Sequence, residues 1–229
     1  QYQRSQPLGA SFPPSVILMT SFLFELSHLV ENATGVAYEV PAVTSFVKLR
    51  SLLRRPVSKV GVVYRPQFRS MVSAQVRLAA IEKIQVIGME VSRNPTPAEL
   101  SKTLQSLRND HGVDALWVLN DNRLLGSPEL FVNGWMKGLE GADVPVVVGV
   151  GSLVSSTIHF GSFAMLPDHD ALGVQAADLI YELADDGWDV TRHPVQLPLS
   201  TKTVIDLEQT KSYLQLREGA LSRIDKVAN

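Results

Sequence analysis

Lys59-Val-Gly-Val-Val-Tyr64 runs directly into Arg65-Pro-Gln-Phe-Arg-Ser70, and this stretch decides the fold. A nearly continuous apolar run without polar alternation is what a strand covered on both faces requires, and such strands belong to parallel sheets flanked by helices. Val86-Ile-Gly-Met-Glu-Val91, Ala115-Leu-Trp-Val-Leu119 and Val144-Pro-Val-Val-Val-Gly149 repeat the pattern, each followed by a helix or a tight turn. Apolar runs alternating with amphipathic segments predict an α/β protein with doubly wound parallel sheets.

The intervening helices carry their own start signals. Thr96-Pro97-Ala98-Glu99 reads as a capping box with proline at the first helical position, and Ser127-Pro128 opens the next helix. Leu100, Leu104 and Leu107 recur at helical spacing, as do Leu172, Ala176, Leu179, Ile180 and Leu183. Each set forms an apolar stripe meant for a sheet, and Gly187 is placed to end the second helix. Glu39-Val40-Pro41 and Leu166-Pro167-Asp168 read as chain bends. Between them, residues 42–166 hold a complete doubly wound unit that closes with a strand over 160–165. Ahead of it, Val16 to Met19 is the first convincing strand, and it lacks a preceding helix and strand.

Composition excludes several classes. Lys plus Arg number 21 against 23 Asp plus Glu, giving a net charge of -2 with no basic block, so nucleic acid is not an expected partner. No apolar run is long enough for a spanning helix, and no signal-like segment opens the chain. The absence of cysteine rules out disulfides, thiolate metal sites and a cysteine nucleophile, and is compatible with a reducing or an oxidising compartment.

In an open parallel sheet, ligands sit beyond the carboxyl ends of the strands near the point where strand order reverses. Three loops meet that rule: 65–70, 120–123 and 149–152. Arg65 and Arg69 could clamp a carboxylate or lie solvated. Phe68 is either a stacking surface or a lid on the neighbouring apolar layer. Ser70 stands at a helix start, as a cap, a ligand contact or both. Asp121 could hold a ligand amine or make an Asx turn.

Enzyme signatures are weak. Gly149-Val-Gly-Ser-Leu-Val154 begins like a dinucleotide fingerprint but lacks the third glycine. There is no nucleophile elbow and no Walker phosphate loop, and His28, His111, His159, His169 and His193 show no metal spacing. Asp168-His169-Asp170 reads as an acid-rich helix N-terminus. No catalytic residue, metal or cofactor is expected.

The ordered set Asn32-Ala-Thr-Gly-Val36, Val43 to Leu53, Val60-Gly-Val-Val-Tyr-Arg-Pro66, Asp121-Asn122, Val144-Pro-Val-Val147, Asp170-Ala-Leu-Gly173 and Val204-Ile-Asp-Leu-Glu-Gln-Thr-Lys211 resembles the substrate-binding proteins of ABC transporters. It is most similar to the family that includes tryptophan and tyrosine binders, with a type I periplasmic-binding-protein fold. The resemblance implies two α/β lobes: 1–40 with 167–193 as a partial lobe one, 41–166 with 194–206 as lobe two, and 207–229 as a C-terminal helix. It places the opening strands and helices of lobe one before Gln1.

Carried over by position, the implied ligand contacts are Tyr64, Arg65, Phe68, Arg69, Ser70, Asn120, Asp121, Gly151 and Ser152 from lobe two, and Thr20, Ser21 and Phe22 from lobe one. Gly149-Val-Gly151 departs from the family, where polar and often acidic residues are usual. The implied function is capture of a small organic solute, an amino acid or aromatic carboxylate, in an interlobe cleft. The implied partner is a membrane permease and the implied location is the periplasm or another extracytoplasmic space. A ligand-sensing regulatory domain of the same fold is the alternative. A homodimer is a further expectation, to be marked by exposed apolar surface at Phe22, Leu23, Phe24 and Leu26.

Overall fold

The computed structural model describes residues 12–154, 158, 160–208 and 215–228. Two compact units emerge, one from 1–40 with 166–201 and the other from 41–165 with 202–229. Residues 194–201, expected with lobe two, thus fall in the first unit.

The first unit opens with β1 (Ser15–Ile17), continues through the short helix α1 (Leu23–Leu26) and pairs β1 in parallel with β2 (Ala33–Gly35). Only glycine fits opposite Ile17, because a Cβ at Gly35 would run into the Ile17 carbonyl. The long helix α7 (His169–Asp185) lays Leu172, Leu179 and Leu183 against Val36, with Val16, Leu18 and Val190 packed at the margin. Ile180, expected in that stripe, is 42% exposed, because it lies a quarter-turn from the stripe's centre. Asp168 caps the helix by accepting from the Asp170 N–H, and Gly187, at φ 69°, follows its end. In the α1 region Phe24 and Leu26 are exposed, whereas Leu23 is buried, so the apolar surface expected there is only partly present.

The second unit is built on a seven-stranded sheet. Its strands are β3 (Lys59–Tyr64), β4 (Gln85–Glu90), β5 (Ala115–Trp117), β6 (Val146–Val148), β7 (Phe163–Pro167), β8 (Thr201–Asp206) and β9 (Lys226–Ala228), in spatial order β4-β3-β5-β6-β7-β8-β9. The ladders from β4 through β7 are parallel, as is β8 with β9. The helices α2 (Ala42–Leu52), α3 (Arg69–Ile81) and α4 (Pro97–Asn109) bury Phe46, Leu49, Val72, Ala79, Leu100, Leu104 and Leu107. Thr96 caps α4 through the Glu99 N–H. The other half of the expected box is absent: the Glu99 carboxylate instead takes the N–H and hydroxyl of Ser92, closing the loop after β4. After α5 (Asn122–Leu125), the helix opened by Ser127-Pro128 carries a π-helical stretch, Leu130–Met136, which runs into α6 (Lys137–Leu139). The buried Trp135 indole N–H donates to the Leu124 carbonyl.

Of the C-terminal helix expected over 207–229, the described residues keep only 207–208 in helical form. Residues 209–214 lie outside the described residues, and 215–228 hold a bridge from Leu216 to Leu53, a short 3-10 turn and β9. Two devices impose this. Gly219 sits at φ 69°, where a helix cannot continue, and the Asp225 carboxylate takes both the N–H and the hydroxyl of Thr203, pinning β9 to β8. Those same bonds hold the Asp225 carboxyl below the ordinary carboxylate range.

Candidate functional site

The chain leaves β3 toward β4 on one side and enters β5 on the other, so strand order reverses between β3 and β5. Their paired register, Val62 opposite Trp117, brings the loops after Tyr64 and Trp117 to the same sheet edge. There the Arg65 guanidinium meets the Asp121 carboxylate side-on: Nε donates to Oδ2 at 2.6 Å and Nη2 to Oδ1 at 2.6 Å. Asp121 is 2% exposed and the Arg65 side chain 15%. Both halves of the Asp121 expectation are thus constrained, because Oδ1 also accepts from the Arg123 N–H and caps α5.

Arg65 is saturated by its surroundings. Nη1 donates to the Arg93 carbonyl at 3.3 Å, the Gln67 amide, turned so that its oxygen faces Arg65, accepts from the same guanidinium, and the Phe68 ring lies over Cζ at 5.8 Å. A guanidinium held on several sides is a rigid floor beneath Phe68, and it is not free to reach for a carboxylate as the sequence alone allowed. Arg69 is engaged as well, in a two-pronged pair with Glu90 at 2.8 and 2.7 Å, whose hydrogen bond holds the Glu90 carboxyl below its ordinary range.

Ser70 is not the cap of α3. Pro66–Phe68 form a 3-10 turn, α3 begins at Arg69, and Ser70 lies exposed within its first turn. The residue at the cap position is Phe68, which supplies no capping side chain.

The third loop gives a structural reason for Gly149. The Asn120 side chain lies flat against Gly149, and a Cβ there would come within 2.6 Å of Asn120 Oδ1. That oxygen is buried and has no hydrogen-bond partner among the described residues. Gly151–Val154 make one 3-10 turn with Ser152 exposed. The structure therefore brings Tyr64, Arg65, Phe68, Asn120 and Asp121 to the edge where β3 and β5 end, with the 149–152 turn following β6 beside them.

In the first unit, Thr20, Ser21 and Phe22 follow β1. Thr20 donates to the Leu18 carbonyl at 3.2 Å, and Phe22 sits at φ 60°, ψ 38°, a left-handed conformation uncommon for a bulky residue. Ser21 and the Phe22 N–H both hydrogen-bond the Glu39 carboxylate, whose pKa is pushed up, chiefly by burial. Its Oε1 is buried without a partner among the described residues. Glu39 escaped the sequence reading because it was visible only as part of a bend. Glu90 escaped it because its role depends on Arg69, brought from another segment, and Gln67 because nothing in the loop's sequence shows its amide turning back onto Arg65.

Asp168, His169 and Asp170 form a helix start, with His169 Nε2 3.4 Å from the Tyr38 hydroxyl. Among the described residues no group of three His, Cys, Asp or Glu side chains could hold a metal ion.

A switch-point edge of this kind, on a doubly wound sheet completed by returning C-terminal strands, defines a periplasmic-binding-protein-like fold of type I. No family model matches the chain, and no curated protein does. Among solved structures it is similar to an ABC domain in complex with L-Trp from Streptococcus pneumonia, at 20% identity and a TM-score of 0.65, covering 93% of this chain and 73% of that one. It is similar also to a conserved domain protein from Vibrio cholerae, at 20% identity and a TM-score of 0.62. A third similar structure is the ligand-free, open form of a substrate binding protein with adhesive properties from Clostridium difficile, at 18% identity and a TM-score of 0.62. The chain spans 63% of the length of each of these last two. At such identities the likeness is one of fold.

Proposed function

We propose that this chain is the solute-binding component of an ABC transporter and that its second unit receives a small organic ligand beyond the carboxyl ends of β3, β5 and β6. The observation that carries this reading is the Arg65–Asp121 pair at the switch point, rigid, largely dry and roofed by Phe68. In this role Arg65 and Asp121 position the surface, and Phe68, Tyr64, Asn120, Gly151 and Ser152 meet the ligand. Phe68 offers an aromatic face for stacking. Asn120 offers an amide whose Oδ1 lacks a donor. The first turn of α3 has no side-chain cap, which suits a ligand carboxylate. Stacking, a donor for Asn120 and an anion for α3 together describe an aromatic amino acid better than a sugar or a nucleotide.

On the same reading the chain acts in an extracytoplasmic space, delivers to a membrane permease, and does no chemistry on its ligand. Among the described residues no helix is long and apolar enough to cross a membrane. A homodimer is proposed only to the extent that Phe24 and Leu26 remain exposed.

The test is a thermal-shift screen of L-tryptophan, L-tyrosine, aromatic carboxylates, sugars and nucleotides. A specific ligand stabilises by mass action, by about 2.7 kcal/mol at a hundredfold excess over Kd. An aromatic amino-acid response that Phe68→Ala abolishes supports the proposal. A nucleotide response, or an amino-acid response indifferent to Phe68, refutes it.

A further inference from the structure

Helix α7 has a second apolar face. Its buried stripe, Leu172, Ala176, Leu179 and Leu183, is directed into the first unit. At about 100° per residue, Val174 and Tyr181 lie within about 20° of each other and on the opposite side of the helix from that stripe. They are 63% and 72% exposed. Ala177 and Ala184 flank them on one side, both exposed. Just past the helix end stands Trp188, 49% exposed and held at φ 65°. A left-handed conformation is unfavourable for a non-glycine residue, and here it is fixed by Gly187 and by the Trp188 N–H donating to the Leu183 carbonyl at 2.6 Å. A large indole held in a strained turn and left exposed is an outlier of the kind that accompanies function.

The charges beside this face have one sign. From 169 to 189 the chain carries Asp170, Asp178, Glu182, Asp185, Asp186 and Asp189 and no lysine or arginine. Arg192 and His193 answer Glu182, Asp186 and Asp189. Asp178 and Asp185, four residues after Val174 and Tyr181, are exposed and have no ion-pair partner among the described residues.

We propose that the outer face of α7 docks a protein partner whose contact segment presents apolar side chains flanked by lysine or arginine. Apolar knobs at Val174, Tyr181 and Trp188 would supply the desolvated centre, and Asp178 with Asp185 would supply a rim that attracts cations and repels acidic surfaces. A second copy of the chain fits less well, because an antiparallel two-fold pairing of α7 sets the Asp178 and Asp185 edge of one helix against the same edge of the other. This surface is distinct from the ligand loops, so the proposal stands or falls separately from the transport reading.

The indole is also the reporter. Trp135 is buried and Trp117 packs edge-on against Phe46, leaving Trp188 as the exposed fluorophore. The full chain is titrated with a helical leucine–lysine peptide and with its leucine–glutamate counterpart, at low and high salt. The expected result is a blue shift with the lysine peptide alone, weakened by salt and absent in Trp188→Phe. Asp178→Lys with Asp185→Lys should weaken that peptide about tenfold and admit the glutamate peptide. Val174→Asp, checked for an unchanged circular dichroism spectrum, should abolish binding. Equal response to both peptides, no response to either, or insensitivity to the aspartate reversal would overturn the proposal. So would self-association in sedimentation that Val174→Asp removes, since the face would then belong to a second copy.

Discussion

Replacing Asp121 by alanine is the sharpest test of the site's architecture. The substitution leaves the Arg65 charge in place with its side chain only 15% exposed, so water can restore little of what the carboxylate supplied. Removing one member of a buried, hydrogen-bonded ion pair costs about 3–5 kcal/mol. The lost cap on the Arg123 N–H adds about 1 kcal/mol. For a chain of this size each kcal/mol moves Tm by about 2–4 °C, so a fall on the order of 10–20 °C is expected. Urea unfolding followed by Trp117 and Trp135 fluorescence measures the loss, and Arg65→Met completes a double-mutant cycle. If the pair is buried as described, Arg65→Met with Asp121→Leu recovers most of the stability, because two apolar groups leave no stranded charge. A cost below about 1 kcal/mol for Asp121→Ala, with Arg65→Met adding independently, would show the pair to be solvated and would remove the rigid floor beneath Phe68.

Other outcomes follow from the same geometry. Gly149→Ala drives a methyl into Asn120 and is expected to cost about 1–3 kcal/mol in chemical denaturation, and to weaken any ligand response that depends on Asn120. Phe46→Ala empties a fully buried position against Trp117 and is expected to cost about 3–5 kcal/mol, with a change in Trp117 emission. Burial raises the Glu39 carboxyl above its ordinary range, so the folded chain holds that proton more tightly than the unfolded chain. Its contribution is then largest below the unfolded pKa and declines as pH rises through the folded pKa. Glu39→Gln keeps an acceptor for Ser21 and Phe22 without the charge, and should flatten that decline in thermal unfolding measured between about pH 4 and pH 8.

The sequence by itself determined the strands β3 to β7 of the second unit's sheet and which loops follow them. β3 coincides with Lys59–Tyr64, and β5 and β6 fall within the apolar runs read for them, since a strand buried on both faces has no alternative to continuous apolar residues, while β4 at the sheet's edge is set one residue earlier than the run Val86–Val91 and buries only Val86. The leucines of α4 and the cap at Thr96 were legible for the same local reason. What only the tertiary structure decided are the pairings between distant segments. Arg65 is read as a free cation until Asp121, 56 residues away, is seen to occupy it, and Glu99 as half of a capping box until Ser92 takes its carboxylate. The C-terminal segment reads as a helix until Thr203 claims Asp225 and draws the chain into the sheet. Hydrophobic periodicity is a property of neighbouring residues and survives in the sequence. The partner of a charge or an edge strand is set by which remote segment fills the remaining space, and periodicity carries no record of it.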